Sequence, residues 1–209
     1  MFDPSTLTLI AITDDLRDGV EGLAGRAVRA VQGGATMVQL RLKDVDARTQ
    51  VELARRLVAT LPVPVIVNDR ADIAMAAGAA GVHLGSDDLP VAVVRRIAGD
   101  GFIIGASVGE DREIPLAGGA DYVGIGPVYG SPTKSDAGAA IGVEGLARFA
   151  RACAPRPAVA IGGITAAGAA EVMRSAAAAG VRGVAAVHAI FGSAEPDEAA
   201  RAIRKAMQP

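Results

Sequence analysis

Residues 65–84 read Val65-Ile66-Val67-Asn68-Asp69-Arg70, then Ala71-Asp72-Ile73-Ala74-Met75-Ala76-Ala77, then Gly78-Ala79-Ala80-Gly81-Val82-His83-Leu84. A β-branched apolar run ends in two polar residues. A short helical stretch follows, a glycine stops it, and a second apolar run begins. Short apolar runs without polar alternation are the mark of strands buried on both faces, as in parallel sheets. Glycine just past a helix supplies the left-handed cap at little steric cost. The segment therefore predicts a strand–helix–strand unit with polar groups at the end of each strand.

The same unit recurs in both directions. Apolar runs fall at Leu7–Ile12, Met37–Leu40, Val65–Val67, Gly81–Leu84, Phe102–Gly105, Tyr122–Ile125, Ala158–Ile161 and Val184–Val187. Helical patterns lie between them at Glu21–Gln32, Ala47–Thr60, Ala71–Ala77, Val91–Ile97, Val143–Cys153, Ala166–Ala179 and Glu195–Met207. The weakest, Glu110–Ala117, contains Pro115. Gly33-Gly34-Ala35, Gly118-Gly119-Ala120 and Gly180-Val181-Arg182 repeat the glycine junction, and Pro62/Pro64 and Pro155/Pro157 stop two further helices. Eight alternating units predict a single (β/α)8 TIM barrel occupying residues 1–209 as one domain. An open doubly wound sheet fits less well, because no Gly-x-Gly-x-x-Gly turn follows the first strand.

Composition agrees. The chain is 51% hydrophobic but only 3% aromatic, with no Trp, so its core is built from Val, Ile, Leu and Ala. A net charge of −2 without a basic run argues against a nucleic-acid partner. Cys153 is the only cysteine, which rules out an internal disulfide and suits a reducing compartment. The start, Met1-Phe2-Asp3-Pro4, lacks the basic and apolar pattern of a signal peptide, and no apolar run is fit to span a bilayer. The expectation is a cytoplasmic protein with no membrane partner, a homo-oligomer being left open.

Polar residues collect where the runs end. Thr13-Asp14-Asp15 follow the first, and Gln39, Arg41 and Lys43 end the second. Asn68-Asp69 end the third, and His83 and then Ser86-Asp87-Asp88 the fourth. Ser107 ends the fifth, Gly126 to Lys134 follow the sixth, Gly162-Gly163 the seventh and His188 the eighth. In barrel enzymes that face carries the active site. Gln39, Arg41 and Lys43 share a side by strand alternation, and two cations with an amide suit a diphosphate. Asp69 and either Asp87 or Asp88 offer oxygen ligands for Mg2+, which shares its sphere with substrate phosphates, although an Asp before Pro90 also suits a helix cap. Gly162-Gly163 before a helix is a phosphate cradle, and the loop from Gly126 to Gly142 reads as a substrate clamp. His83 on an apolar strand is read as a hydrogen-bonded interior residue and Cys153 as packing. No Ser-His-Asp or Cys-His arrangement and no zinc-ligand spacing is evident.

From about Leu9 to Ala202 these motifs resemble the thiamin phosphate synthase (thiamin-phosphate pyrophosphorylase) family, whose superfamily also holds thiazole tautomerases. The carriers are Ile12-Thr13-Asp14, Gln39-Leu40-Arg41-Leu42-Lys43-Asp44, Val67-Asn68-Asp69-Arg70, Gly81 to Pro90, Gly105-Ala106-Ser107, Asp121 to Tyr129, Thr133-Lys134 and Ala160 to Ile164. The resemblance implies a dissociative, Mg2+-assisted substitution. An aminopyrimidine diphosphate loses pyrophosphate, and the nitrogen of a thiazole phosphate takes its carbon. It implies diphosphate contacts at Gln39, Arg41, Lys43, Asn68 and Lys134, with Mg2+ on Asp69 and Asp88. It also implies that Ser107 lies by the pyrimidine, with Ser131, Thr133 and Gly163 at the thiazole phosphate. Arg41, Ser107 and Lys134 are thereby the expected catalytic groups. The nucleophile is the thiazole nitrogen, so no activated Ser or Cys is needed.

Three positions depart from the family. Leu42 replaces a frequent Glu, Gly109 replaces a His, and His188 replaces a phosphate-binding Ser. A protonated His still holds phosphate, but with pH sensitivity. A metal-independent tautomerase is an alternative, although that branch has a His where this chain has Pro127. A non-catalytic phosphate-ligand binder is another.

Overall fold

The computed structural model describes residues 2–130 and 139–208. Eight parallel strands close into a barrel in sequence order. They are β1 (Leu9–Ile12), β2 (Met37–Leu40), β3 (Val65–Asn68), β4 (Gly81–Leu84), β5 (Ile103–Val108), β6 (Tyr122–Ile125), β7 (Ala158–Ile161) and β8 (Val181–Ala186). The helices are α1 (Gly19–Gln32), α2 (Ala47–Thr60), α3 (Ala71–Ala77), α4 (Val91–Ala98), α5 (Gly142–Ala152), α6 (Ala166–Ala176), α7 (His188–Phe191) and α8 (Pro196–Ala206). No described helix is long and apolar enough to cross a membrane.

Strand alternation divides the apolar residues into two cores. Leu9, Ala11, Val38, Leu40, Val65, Val67, Val82 and Leu84 face outward and pack under the helices. Ile10, Ile12, Met37, Ile66, Tyr122, Val159 and Ala185 fill the barrel, with Leu7 from the turn before β1. The floor is finished by Phe2, whose ring stacks on Tyr122 at 6.2 Å between centroids.

Several elements differ from the sequence reading, among them β8, which begins at Val181, and the short helix α7, where the sequence predicts none. The stretch after β5 forms only a 3-10 turn, Asp111–Glu113, and no α-helix. Pro115 lacks the N–H a longer helix needs there, and Glu113 instead bends back to accept the N–H groups of Gly109 (2.6 Å) and Glu110 (3.0 Å). Strand β5 also runs three residues beyond the apolar run, because Ser107 and Val108 pair with Gly124 and Ile125 of β6. Ser107 is thus inside a strand and fixed by its ladder.

Candidate active site at the barrel mouth

Strands β2, β3 and β4 end side by side, with Gln39 opposite Ile66 and Asn68 opposite His83. Gln39 is buried, Arg41 and Asn68 are half-buried and Lys43 is exposed. Neither the Arg41 guanidinium nor the Lys43 ammonium has an ion-pair partner among the described residues.

Asp69 follows β3 with φ +64°, a left-handed conformation uncommon outside glycine. Its N–H donates to the His83 carbonyl (2.8 Å), and the next N–H, of Arg70, donates back to the Asn68 carbonyl (2.7 Å). Asp69 is therefore the centre of a tight three-residue turn at the strand end. Strain of this kind collects at functional sites.

On the adjacent strand end, Asp88 Oδ2 accepts the Gly85 N–H at 2.6 Å. Helix α4 starts after Pro90 with no side-chain cap. Asp88 therefore braces its own loop and does not cap the helix. Asp69 and Asp88 lie in the segments that follow the neighbouring strands β3 and β4.

Beneath this rim a polar chain crosses the barrel. His83 Nδ1 meets the Tyr122 hydroxyl at 2.9 Å, and Nε2 meets Ser107 Oγ at 3.1 Å. Tyr122 is also hydrogen-bonded by the Gln39 side chain. The chain links β2, β6, β4 and β5. Burial lowers the His83 pKa to about 4, against an opposing pull from Asp88, so the ring is neutral near pH 7. A neutral ring has one N–H. With Gln39 donating to Tyr122 and Tyr122 to Nδ1, the Nε2–H donates to Ser107 Oγ.

Two glycines make room for these rings. A Cβ on Gly105 would lie 2.3 Å from Tyr122 Cζ and 2.5 Å from His83 Nδ1, and one on Gly124 would lie 2.9 Å from His83 Cε1. Glycine inside a strand signals such close approach. The reading of His83 as an interior residue holds. Tyr122 was missed, and Gly105 opposite it on β5 and Gly124 two residues on in its own strand were the signal that could have found it.

The other half of the mouth is main chain. Gly162 and Gly163 have φ +96° and +65°. A Cβ on Gly162 would lie 2.5 Å from Pro127 Cα, and one on Gly163 would lie 2.7 Å from the Gly130 carbonyl oxygen. The segment after β6 holds this pair by continuing the β6–β7 pairing. Val128 N–H donates to the Ile161 carbonyl (2.8 Å) and Tyr129 N–H to the Gly162 carbonyl (3.0 Å). The Tyr129 hydroxyl donates to Glu171 at 2.7 Å on α6. Burial and Glu171 push its pKa up to about 12. Helix α6 opens three residues after the glycine pair, capped by Thr165, whose hydroxyl accepts the Gly168 N–H at 3.2 Å.

His188 opens α7 and is exposed. A Cβ on Gly192 would lie 2.4 Å from its Nδ1, so the ring packs back along the short helix. The far end of α7 is held firmly. The Phe191 carbonyl accepts from Arg17 and from Arg26 (3.2 Å). Both guanidinium groups pair with Asp14, at 2.6 and 3.1 Å. Ser131, Thr133 and Lys134 lie outside the described residues.

The sequence model of the thiamine monophosphate synthase family matches residues 9–190. The chain is 44% identical to the thiamine-phosphate synthase of Azorhizobium caulinodans over 206 residues, covering 96% of this chain and 95% of that protein. It is 44% identical to the corresponding protein of Xanthobacter autotrophicus, covering 98% and 97%. Among solved structures it is similar to thiamine phosphate pyrophosphorylase from Pyrococcus furiosus, with TM-score 0.82, 36% identity and coverage of 98% and 96%. A likeness to 3-hexulose-6-phosphate synthase, at 17% identity and TM-score 0.69, reflects the shared barrel.

Proposed function

Since the chain belongs to the thiamine monophosphate synthase family and is a transferase joining an aminopyrimidine diphosphate to a thiazole phosphate, we propose that the two halves of its mouth divide the two phosphate-bearing substrates. Gln39, Arg41, Lys43, Asn68 and Lys134 hold the diphosphate. Asp69 and Asp88 hold Mg2+. Ser107 faces the pyrimidine. Ser131, Thr133, Gly163 and His188 hold the phosphate of the thiazole. The enzyme works as one domain in the cytoplasm.

The donor set suits magnesium. Two carboxylates after adjacent strands, one already braced by a backbone N–H, are the oxygen donors that magnesium takes alongside substrate oxygens and water. When bound there, the ion neutralises charge on the departing diphosphate.

The chain's own residues do the rest. The bond from the pyrimidine methylene carbon to the diphosphate oxygen breaks, and its electron pair leaves with the diphosphate. Arg41, Lys43 and Lys134 stabilise that charge as it forms. The thiazole nitrogen then gives its lone pair to the same carbon and becomes the ring cation of the product. No proton need move, which agrees with the neutral, buried state of His83. The Gly162-Gly163 pair orients the acceptor so that its nitrogen faces the carbon.

What supports this reading is that Arg41 and Lys43, Asp69, and Asp88 follow the ends of the adjacent strands β2, β3 and β4, two acids and two cations at one end of the barrel. The test is an assay of the purified protein with both substrates, with and without Mg2+, following pyrophosphate and thiamin phosphate together. Metal-dependent release of both is expected, and failure to form either product under any condition overturns it.

A further inference from the structure

Thr13 is completely buried at the end of β1. Its N–H donates to the Gln39 carbonyl at 3.0 Å, the last backbone rung between β1 and β2. At the next rung a side chain takes over. The Arg41 N–H donates to Thr13 Oγ1 at 2.8 Å, and Thr13 Oγ1 donates to the Arg41 carbonyl at 2.9 Å. The N–H and C=O of one strand residue point to the same side, so a single hydroxyl satisfies both main-chain groups of Arg41. Arg41 lies beyond the last residue of β2. The hydroxyl fixes it there while β1 turns away towards Asp14.

We infer that Thr13 is a positioning residue for diphosphate binding, acting through the main chain of Arg41. This rests on the reading of Arg41 as a diphosphate contact. A guanidinium recognises phosphate oxygens by geometry as well as charge, so its base must be fixed if the fork is to meet them. Valine has nearly the shape of threonine but neither donates nor accepts, and it leaves both Arg41 groups unpaired.

The experiment is steady-state kinetics of the full chain with Mg2+, varying each substrate separately. Thr13→Val is expected to raise KM for the diphosphate substrate about tenfold, the size of one misplaced charge-assisted contact. KM for the thiazole phosphate stays within about twofold, a split that a general loss of folded protein does not produce. Thr13→Ser keeps the hydroxyl and restores the diphosphate KM. Thr13→Val added to Arg41→Ala has no further effect, because the two act on one contact. If Thr13→Val does not fold, Thr13→Cys retains a weak hydrogen-bonding group, and its diphosphate KM falls between those of the Ser variant and Arg41→Ala. A wild-type diphosphate KM in the Val or Cys variant, or equal rises for both substrates, overturns the inference. A wild-type KM in Arg41→Ala alone overturns instead the underlying assignment of Arg41.

Discussion

Between β2 and β4 the mouth of the barrel is made of side chains, and between β6 and β8 it is made of main chain. The first half presents Arg41, Lys43, Asn68, Asp69 and Asp88 on strand ends that the barrel itself fixes. The second presents Gly162 and Gly163, pressed against Pro127 and Gly130 and held by the segment after β6. Side chains at a rim can change without moving the backbone. A glycine pair at positive φ under a crossing segment cannot. The first half should therefore lose function without losing the fold, and the second should lose both together.

The largest effect is expected at Asp88. Asp88→Asn keeps an oxygen to accept the Gly85 N–H but loses the charge a cation needs. We expect kcat/KM to fall about a thousandfold, roughly 4 kcal/mol of transition-state stabilisation. Thermal unfolding should shift by no more than a few degrees. Activity near wild type would remove Asp88 from the metal site. A collapse of stability would show that this half, too, is structural.

Gly162→Ala is the matching test on the other side. The methyl meets Pro127 Cα at 2.5 Å and the backbone must also hold φ +96°. Together these should cost about 3 kcal/mol or more in stability, with KM for the thiazole phosphate rising in the fraction that folds. Gly180→Ala is the control, since Gly180 has φ +103° but nothing within 4 Å of its Cβ position. It should cost only about 1–2 kcal/mol of backbone strain and leave both KM values alone. Denaturant titration of the two variants separates clash from strain.

The polar chain under the rim joins the halves, and its signature is in pH. His83 is taken from an ordinary pKa of 6.5 to about 4 by burial. Above pH 6.5 both folded and unfolded chains leave it neutral, and its contribution is complete. Between 6.5 and 4 the unfolded chain binds a proton that the folded chain refuses, so stability falls as pH falls. From pH 7 to pH 5 the loss should be about 2 kcal/mol. His83→Asn should be less stable at pH 7 but should lack this part of the slope. Equal slopes in urea titrations of the two proteins would mean that the imidazole is not held neutral.

The contrast also explains what was legible in the sequence. Arg41, Lys43, Asn68, Asp69 and Asp88 stand out because each is an unusual residue at the end of an apolar run. Gly162-Gly163 was weaker, because the same pair serves ordinary turns. Tyr122 and Thr13 were hidden. Tyr122 opens an apolar run and reads as core, and Thr13 reads as a strand end among acids. Their roles come from partners on other strands, Tyr122 with His83 and Thr13 with Arg41, and no local pattern encodes such pairs. The turn at Asp111–Glu113 was misjudged in the opposite way, since Pro115 had already marked that stretch as the poorest helix.

The smallest effect is expected at His188, where the halves differ most in how firmly their residues are held. Arg41 is clamped at its main chain, whereas the His188 ring is exposed and lies along Gly192 on a helix of four residues. An exposed side chain on so short a helix loses rotamer freedom when it binds, which offsets part of the contact energy. In the proposed reading the glycine pair and the start of α6 share the phosphate with His188. His188→Ser should therefore change KM for the thiazole phosphate by about threefold or less, under 1 kcal/mol, with kcat unchanged. A tenfold rise would show that the imidazole is the principal acceptor contact, and the mouth would then have side-chain recognition in both halves.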